Sequence, residues 1–440
     1  MKFFFSSLGC PKNEVDAEVM IGTLIKEGYA LTPRPEDAQL IIINTCAFIR
    51  PAVEESIEEI LELARFKRQK CRFLIVTGCL PRRYGRALRK ALPEVDLFLG
   101  PGEIPLLSSS LQGLISGRPL MPPISSPRFL MTHRDRSIAP AGPSAYLKIS
   151  EGCSNFCSYC LIPRIRGKRR SRPPSDILAE AEFLAKSGVK EINLIAQDTT
   201  AYGKDLPGRP SLAELIKNLA LISDISWIRL LYTHPAHIEE RLMRVLREEE
   251  KICPYLDMPI QHVNDKILES MNRSYRRSNI TQLISTARQM VPDIALRTTI
   301  IVGFPGETEK RFQELLHFIK TTRFAHLGVF TYFPEEGTRA SRLKATRVTK
   351  REKELRHHII MEEQAIISRE INEEQVGTVQ EILIEGISEN PEYPYVGRTR
   401  KQAPEIDGVT YIQGNGVEIG KILNGRIVKA DTYDLYARIP

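Results

Sequence analysis

No stretch of the 440 residues stays apolar long enough to cross a membrane, which excludes a helical membrane protein. The opening MKFFFSSLGC turns polar too early to form the apolar core of a secretory signal. A cytoplasmic protein is therefore expected, in a compartment that keeps thiols reduced. Internal repeats are absent, which excludes solenoids and propellers. The 8 histidines include no H-x3-H pair with a carboxylate, and none is assigned to a site. The excess of one sign of charge is also small. A net charge of +8 points only weakly to a nucleic-acid partner.

What is present is cysteine. In a reducing compartment, 8 cysteines point to metal binding or catalysis before disulfides. Three of them, Cys153, Cys157 and Cys160, stand in SEGCSNFCSYC with the spacing C-x3-C-x2-C. A 4Fe-4S cluster usually takes four thiolates, and so does a structural zinc site. Either a fourth ligand lies elsewhere, as in a zinc knuckle, or one iron is left open to a small molecule. The trio follows an apolar strand, YLKIS, and ligands at the carboxyl end of a barrel strand are where barrel chemistry is found.

A second trio shares one context. Cys10, Cys46 and Cys79 each follow an apolar strand, in SLGC, NTC and VTGC. In an open parallel sheet such strand ends meet in a common crevice. Three thiols 36 and 33 residues apart can thus converge on a second cluster; the alternative is three buried structural thiols. Cys71 and Cys253 lack this context and are read as inert.

Periodicity divides the chain into an N-terminal doubly wound α/β domain (1–118), a Pro-rich linker (119–143), a barrel region (144–373) and a small all-β domain (374–440). In the first, FFFSSL, LIIINT and FLIVTG read as buried parallel strands, with helical patterns around 13–28, 51–69 and 81–91. Six further strand candidates, YLKIS, EINLIAQ, WIRLLY, YLDMPIQ, ALRTTIIVG and HLGVFTYF, make a (βα)6 partial barrel. A charged helix over 349–373 carries Leu355, Ile359, Ile366 and Ile371 at near-helical spacing. TVQEILIEG, EYPYVG, VTYIQG and VEIGKIL are the strands of the last domain.

C-x3-C-x2-C with the aromatic Tyr159 before its last cysteine resembles the radical S-adenosylmethionine (SAM) superfamily. The strand segment IIVGFPG (300–306) resembles that superfamily's adenine-binding strand. With the second trio and the β-domain, the whole chain resembles the radical SAM methylthiotransferases. Their architecture implies a radical SAM partial TIM barrel and a C-terminal TRAM domain. The resemblance implies two 4Fe-4S clusters. Cys153, Cys157 and Cys160 would hold the one that cleaves SAM. Cys10, Cys46 and Cys79 would hold the auxiliary cluster that supplies sulfur. For SAM itself the candidates are Tyr159, Gln197, Arg297, Val302 and Gly303, with Arg297 meeting the carboxylate. Gln197 and Asp198 end the strand EINLIAQD.

Two branches of the family compete. One modifies a tRNA adenosine beside the anticodon; the other modifies the β-carbon of an aspartate in ribosomal small-subunit protein twelve. SLGCPKN, NTCAFI, RGKRRSRP, IAQDTTAYGKD, YLDMPIQH and APEIDG look like the aspartate branch. Glu14 and Ala47 depart from that pattern without replacing a ligand. From Glu374 onward there are 7 Lys or Arg against 10 Asp or Glu. An acidic domain suits a basic protein better than RNA; such charges are otherwise a solvated face. The run Arg164, Arg166, Lys168, Arg169, Arg170, Arg172 is read as a grip on the substrate carboxylate, with RNA contact or plain surface as alternatives. The resemblance further implies an electron donor such as a flavodoxin or ferredoxin, a monomer and no membrane. An iron–sulfur RNA-binding factor without catalysis is a different reading, which the intact trio with Tyr159 opposes.

Overall fold

Runs of Phe, Ile and Val, too apolar to face water on either side, build the first sheet. Its strands are β1 (Lys2–Ser7), β2 (Ala30–Leu31), β3 (Leu40–Thr45), β4 (Phe73–Gly78) and β5 (Leu97–Leu99), all parallel in the order β2-β1-β3-β4-β5. Every residue of the central strand β3 is buried, as expected of a strand covered on both faces. Helices α1 (Pro11–Lys26), α2 (Arg50–Ala64) and α3 (Cys79–Tyr84) follow β1, β3 and β4. The pattern expected over 81–91 is broken at Gly85 (φ 52°) into α3 and a second short helix, Arg86–Ala91. The pattern over 51–69 ends as a helix at Ala64 and continues as a 3-10 turn. Strands β2 and β5 are too short for periodicity to reveal.

The computed structural model describes residues 1–118, 122–124, 127–137 and 142–440, so the expected linker lies partly outside the described residues. The chain forms two units. The first contains the sheet above, residues 148–180 and residues 335–338. Strand β6 (Ser144–Lys148) leads into it through an antiparallel pair, β7 (Ser150–Glu151) and β8 (Arg170–Ser171), which brackets the C-x3-C-x2-C loop.

The second unit carries the rest of the barrel. Strands β9 (Glu191–Ile195) and β10 (Trp227–Leu230) join β6 in the order β10-β9-β6. Strands β11 (Tyr255–Asp257), β12 (Ala295–Val302) and β13 (His326–Thr331) form a second parallel trio. An isolated parallel bridge, Ile228 to Ile252, lies between the two sets. Six strands in chain order with helices between them are the expected partial barrel.

The long helix Lys350–Glu373 packs with a different stripe from the expected one. Leu355 and Ile366 are exposed, whereas Arg356, Ile360, Gln364, Ile367, Ser368 and Asn372 are buried. Hydrogen bonds override hydrophobicity here. Gln364 Nε2 donates to Phe324 O at 2.8 Å, and Arg356 donates to Glu307 O at 3.0 Å. After it, β14 (Val379–Ile387), β15 (Tyr395–Thr399), β16 (Thr410–Gly414), β17 (Ile422–Ala430) and β18 (Leu435–Ile439) close a small barrel. Its core is Ile382, Ile384, Ile412, Ile427 and Leu435. VEIGKIL supplies only the start of β17, and β18 had no counterpart among the expected strands.

This small barrel docks on the amino-terminal ends of the larger one's strands. Glu191, the first residue of β9, accepts from Arg229 Nε at 2.8 Å and from the guanidinium of Arg398 on β15. Tyr255 at the start of β11 donates to Asp407 Oδ2 at 2.6 Å. Arg400 donates to the carbonyls of Glu250 and Ile252. The APEIDG segment thus serves as a plug at the barrel base.

Candidate active site

The sheet order β2-β1-β3-β4-β5 reverses direction between β1 and β3. In such sheets ligands bind beyond the carboxyl ends of the strands at that reversal. Cys10 follows β1 and caps α1, Cys46 follows β3, and Cys79 follows β4 as the first residue of α3. The sheet therefore brings the three expected ligands together, and each is a free thiol. Their charges reach one another: Cys10 acts on Cys46, and both act on Cys79. Burial pushes the Cys46 thiol up and the Cys79 thiol up to about 12. Cys10 moves down: burial opposes this, but Lys12, Arg166 and two backbone N–H groups outweigh it. Three clustered thiols beside fixed positive charge are a donor set suited to an iron–sulfur cluster.

Gly9 lets these strand ends approach. It has φ 103°, and a Cβ there would lie 2.7 Å from Cys46 Cβ and 3.1 Å from its sulfur. Gly9→Ala should displace Cys46. Anaerobically reconstituted protein should lose the iron bound by this trio while keeping that of the other; iron and sulfide analysis with electron paramagnetic resonance (EPR) checks this, and full iron in both would contradict it.

The second trio lies on the loop between β7 and the short helix Ile162–Ile165. All three cysteines are half-buried free thiols. The loop is held at both ends. Cys153 N donates to Gly167 O at 3.0 Å, and Cys160 N donates to Cys157 O at 3.1 Å. Ile162 N donates to Cys160 Sγ at 3.4 Å. Phe156 adopts the left-handed conformation (φ 51°), rare for an aromatic residue, and is 48% exposed. Tyr159 sits within this loop. Three accessible thiols on one short loop fit a cluster with an open iron.

The basic run beside the loop is not a uniform cationic patch. Arg166 and Arg172 are buried. Arg166 pairs with Asp16 Oδ2 at 2.9 Å and Glu151 Oε2 at 3.1 Å. Arg172 pairs with Asp176 at 2.7 Å and Glu180 at 2.6 Å. Arg170 is half-buried and donates to Arg166 O at 3.1 Å. Only Arg164 and Lys168 are exposed. The expected carboxylate grip is therefore corrected for Arg166 and Arg172, whose charge is already neutralised within the protein.

In the second unit, Gln197 and Asp198 follow β9, and Gly303 follows β12, at the carboxyl ends of the strands. Gly303 N donates to Glu307 Oε2 at 2.9 Å. Val302 ends β12 and lies at these ends too, whereas Arg297 does not. Arg297 is third in β12, roughly 16 Å of strand before Val302. Its guanidinium binds Asp257 at 2.9 Å and reaches Asp407 at 3.5 Å. Asp257 on β11, with the plug residue Asp407 further off, accounts for its charge. Val302 is fully buried; strand alternation turns Arg297, Thr299 and Ile301 to the less buried face.

Histidines left unassigned do gather here. Asp198, His234 and His237 bring their ligating atoms within 4.8 Å of one another. His237 Nδ1 lies 2.8 Å from Asp198 Oδ2, which orients the ring. Burial, with Arg273 nearby, pushes His234 down to about 3, so it stays neutral. The signal was HPAH just past a barrel strand. The buried Cys71 and Cys253 lie outside both trios, with burial pushing each thiol up.

An open-cornered cysteine loop after a barrel strand, with a second cysteine trio on a parallel sheet, defines a radical SAM enzyme with an auxiliary cluster domain. Residues 2–100 match the uncharacterized protein family UPF0004, 147–319 the radical SAM superfamily and 376–439 the TRAM domain. The chain is 52% identical to the ribosomal protein uS12 methylthiotransferase RimO of Syntrophus aciditrophicus, over 98% of this chain and 97% of that one. It is 48% identical to the protein of the same name from Geobacter sulfurreducens, with the same coverage. The radical SAM methyltransferase TsrM of Kitasatospora setae shares the fold, with a TM-score of 0.57 at 14% identity, over 86% of this chain and 78% of that one. The chain belongs to the RimO family of ribosomal protein uS12 methylthiotransferases. It is a radical SAM methylthiotransferase, and its cofactors are SAM and two 4Fe-4S clusters.

Proposed function

We propose that this chain methylthiolates the β-carbon of an aspartate in ribosomal protein uS12, with SAM as both methyl and radical source. When bound, the cluster at Cys153, Cys157 and Cys160 supplies the electron for SAM cleavage, and the one at Cys10, Cys46 and Cys79 delivers sulfur. The observation that carries the reading is the presence of both cysteine trios in one unit, each with a donor set suited to a cluster. Tyr159, Gln197, Val302 and Gly303 are the residues proposed to bind SAM. The reading includes a cytoplasmic monomer reduced by an external donor such as a flavodoxin or ferredoxin. Among the described residues no helix is long and apolar enough to cross a membrane.

Charge supports a protein substrate over tRNA. The C-terminal domain carries 7 cations against 10 acids. Two of those cations, Arg398 and Arg400, and one acid, Asp407, turn into the larger barrel, so the outward balance is more acidic still. Phosphate contacts need the opposite sign. The exposed Arg164 and Lys168 are the cations left to meet the substrate.

A competition assay tests this. Reconstituted enzyme, SAM and a strong reductant receive an aspartate-loop peptide of uS12 and an anticodon-loop RNA together. A methylthio mass gain on the peptide alone is expected. The same gain on the RNA alone would replace the reading with tRNA adenosine methylthiolation.

A further inference from the structure

The side chain of Arg166 joins the environments of both cysteine trios within the first unit. Its guanidinium donates to Asn13 Oδ1, and the same oxygen lies 4.0 Å from Cys79 Sγ. Its charge also reaches Cys79, Cys10 and Cys46. Behind it, Asp16 and Glu151 accept from it at 2.9 and 3.1 Å, and Lys148 pairs with the same two carboxylates. All four charged groups are at most 6% exposed.

The next residues hold the other trio. Gly167 O accepts from Cys153 N at 3.0 Å. Gly152 fits beneath this segment only without a Cβ, which would lie 2.4 Å from Lys168 O. Glu151, two residues before Cys153, is therefore tied to Arg166 by its side chain, while the loop is tied to Gly167 by its backbone.

We propose that Arg166 is a positioning residue that sets the reduction potential of the auxiliary cluster, by holding a buried positive charge beside its cysteine ligands. The inference rests on the reading that Cys10, Cys46 and Cys79 hold that cluster. Cluster potential follows net charge nearby, hydrogen bonds to sulfur and exposure to water. Here Arg166 and Lys148 balance Asp16 and Glu151, so the buried quartet is neutral, with its positive end at the sulfurs. Removing Arg166 leaves a net negative quartet there, and removing Asp16 leaves a net positive one. Burial strengthens both effects, because little water screens them.

The test uses the full chain with Cys153, Cys157 and Cys160 all replaced by Ala, so that only the auxiliary cluster is observed. Anaerobic redox titration followed by EPR reads its midpoint. In this background Arg166→Gln should shift the midpoint to more negative potential, and Asp16→Asn should shift it to more positive potential. Arg166→Lys should lie between parent and Arg166→Gln, since it keeps the charge and loses donors. A purely structural tie would not produce shifts of opposite sign. Parent-like midpoints in iron-loaded Arg166→Gln and Asp16→Asn, or shifts of the same sign, would overturn the inference. If Arg166→Gln fails to hold iron, the direction of the Asp16→Asn shift decides alone. If the parent triple variant itself binds no iron, the assignment of Cys10, Cys46 and Cys79 fails instead, a result distinct from any effect of Arg166.

Discussion

Cys153→Ala should reduce SAM-dependent 5′-deoxyadenosine formation to background, whereas Cys46→Ala should keep that cleavage and lose methylthiolation. The two cysteines lie on different supports. Cys153 belongs to a short loop with its own backbone ties, and Cys46 to the end of a buried sheet strand. A change at Cys46 removes a ligand without touching the hydrogen bond from Cys153 N to Gly167 O. Deoxyadenosine and methylthiolated peptide, quantified in the same reactions, separate the two functions. Loss of cleavage in a Cys46→Ala protein that still holds its radical cluster would sink the division of labour.

The second large effect concerns the base of the barrel. Glu191 is fully buried, yet it is held ionised. Burial opposes this, but Arg398 and Arg229 bring its pKa down to about 2. With an ordinary value near 4.5, this carboxylate contributes stability that is fully present above about pH 4.5. That contribution is lost as the pH falls toward 2 and amounts to about 3 kcal/mol. Arg398→Ala removes one of its partners and leaves the buried carboxylate undercompensated, at a cost of about 3–5 kcal/mol. A lower melting temperature and acid unfolding that begins at higher pH are expected. Glu191→Gln should instead flatten the acid limb. Thermal unfolding across pH 3 to 7 checks both, and an unchanged acid limb in Glu191→Gln would show that other carboxylates dominate.

Much of the site was legible because its chemistry is local. The spacing of Cys153, Cys157 and Cys160 is a property of eight consecutive residues. Cys10, Cys46 and Cys79 were legible for another reason: each follows an apolar run, and parallel strands carry their carboxyl ends to one side of the sheet. The arginines were not legible in this way. Arg164 and Arg166 are two residues apart, yet one faces solvent and the other is buried among carboxylates from distant parts of the chain. Arg297 was not legible either, because its partners Asp257 and Asp407 lie 40 residues earlier and 110 residues later in the chain. The helix at Lys350–Glu373 misled through its own composition. Exposed Leu355 and Ile366 outscore buried Arg356 and Gln364 on hydrophobicity alone.

By itself, then, the sequence determined what depends on spacing and on runs: two cysteine trios, the parallel strands that carry them, and a closing β-domain. Tertiary structure alone decided which charges meet. Asp16 comes from a segment far from Lys148, Glu151 and Arg166, and Glu191, Arg229 and Arg398 come from three separate segments. An ion pair buried away from water is specified by three-dimensional proximity and shared desolvation, and neither quantity is written in the neighbours of a residue along the chain.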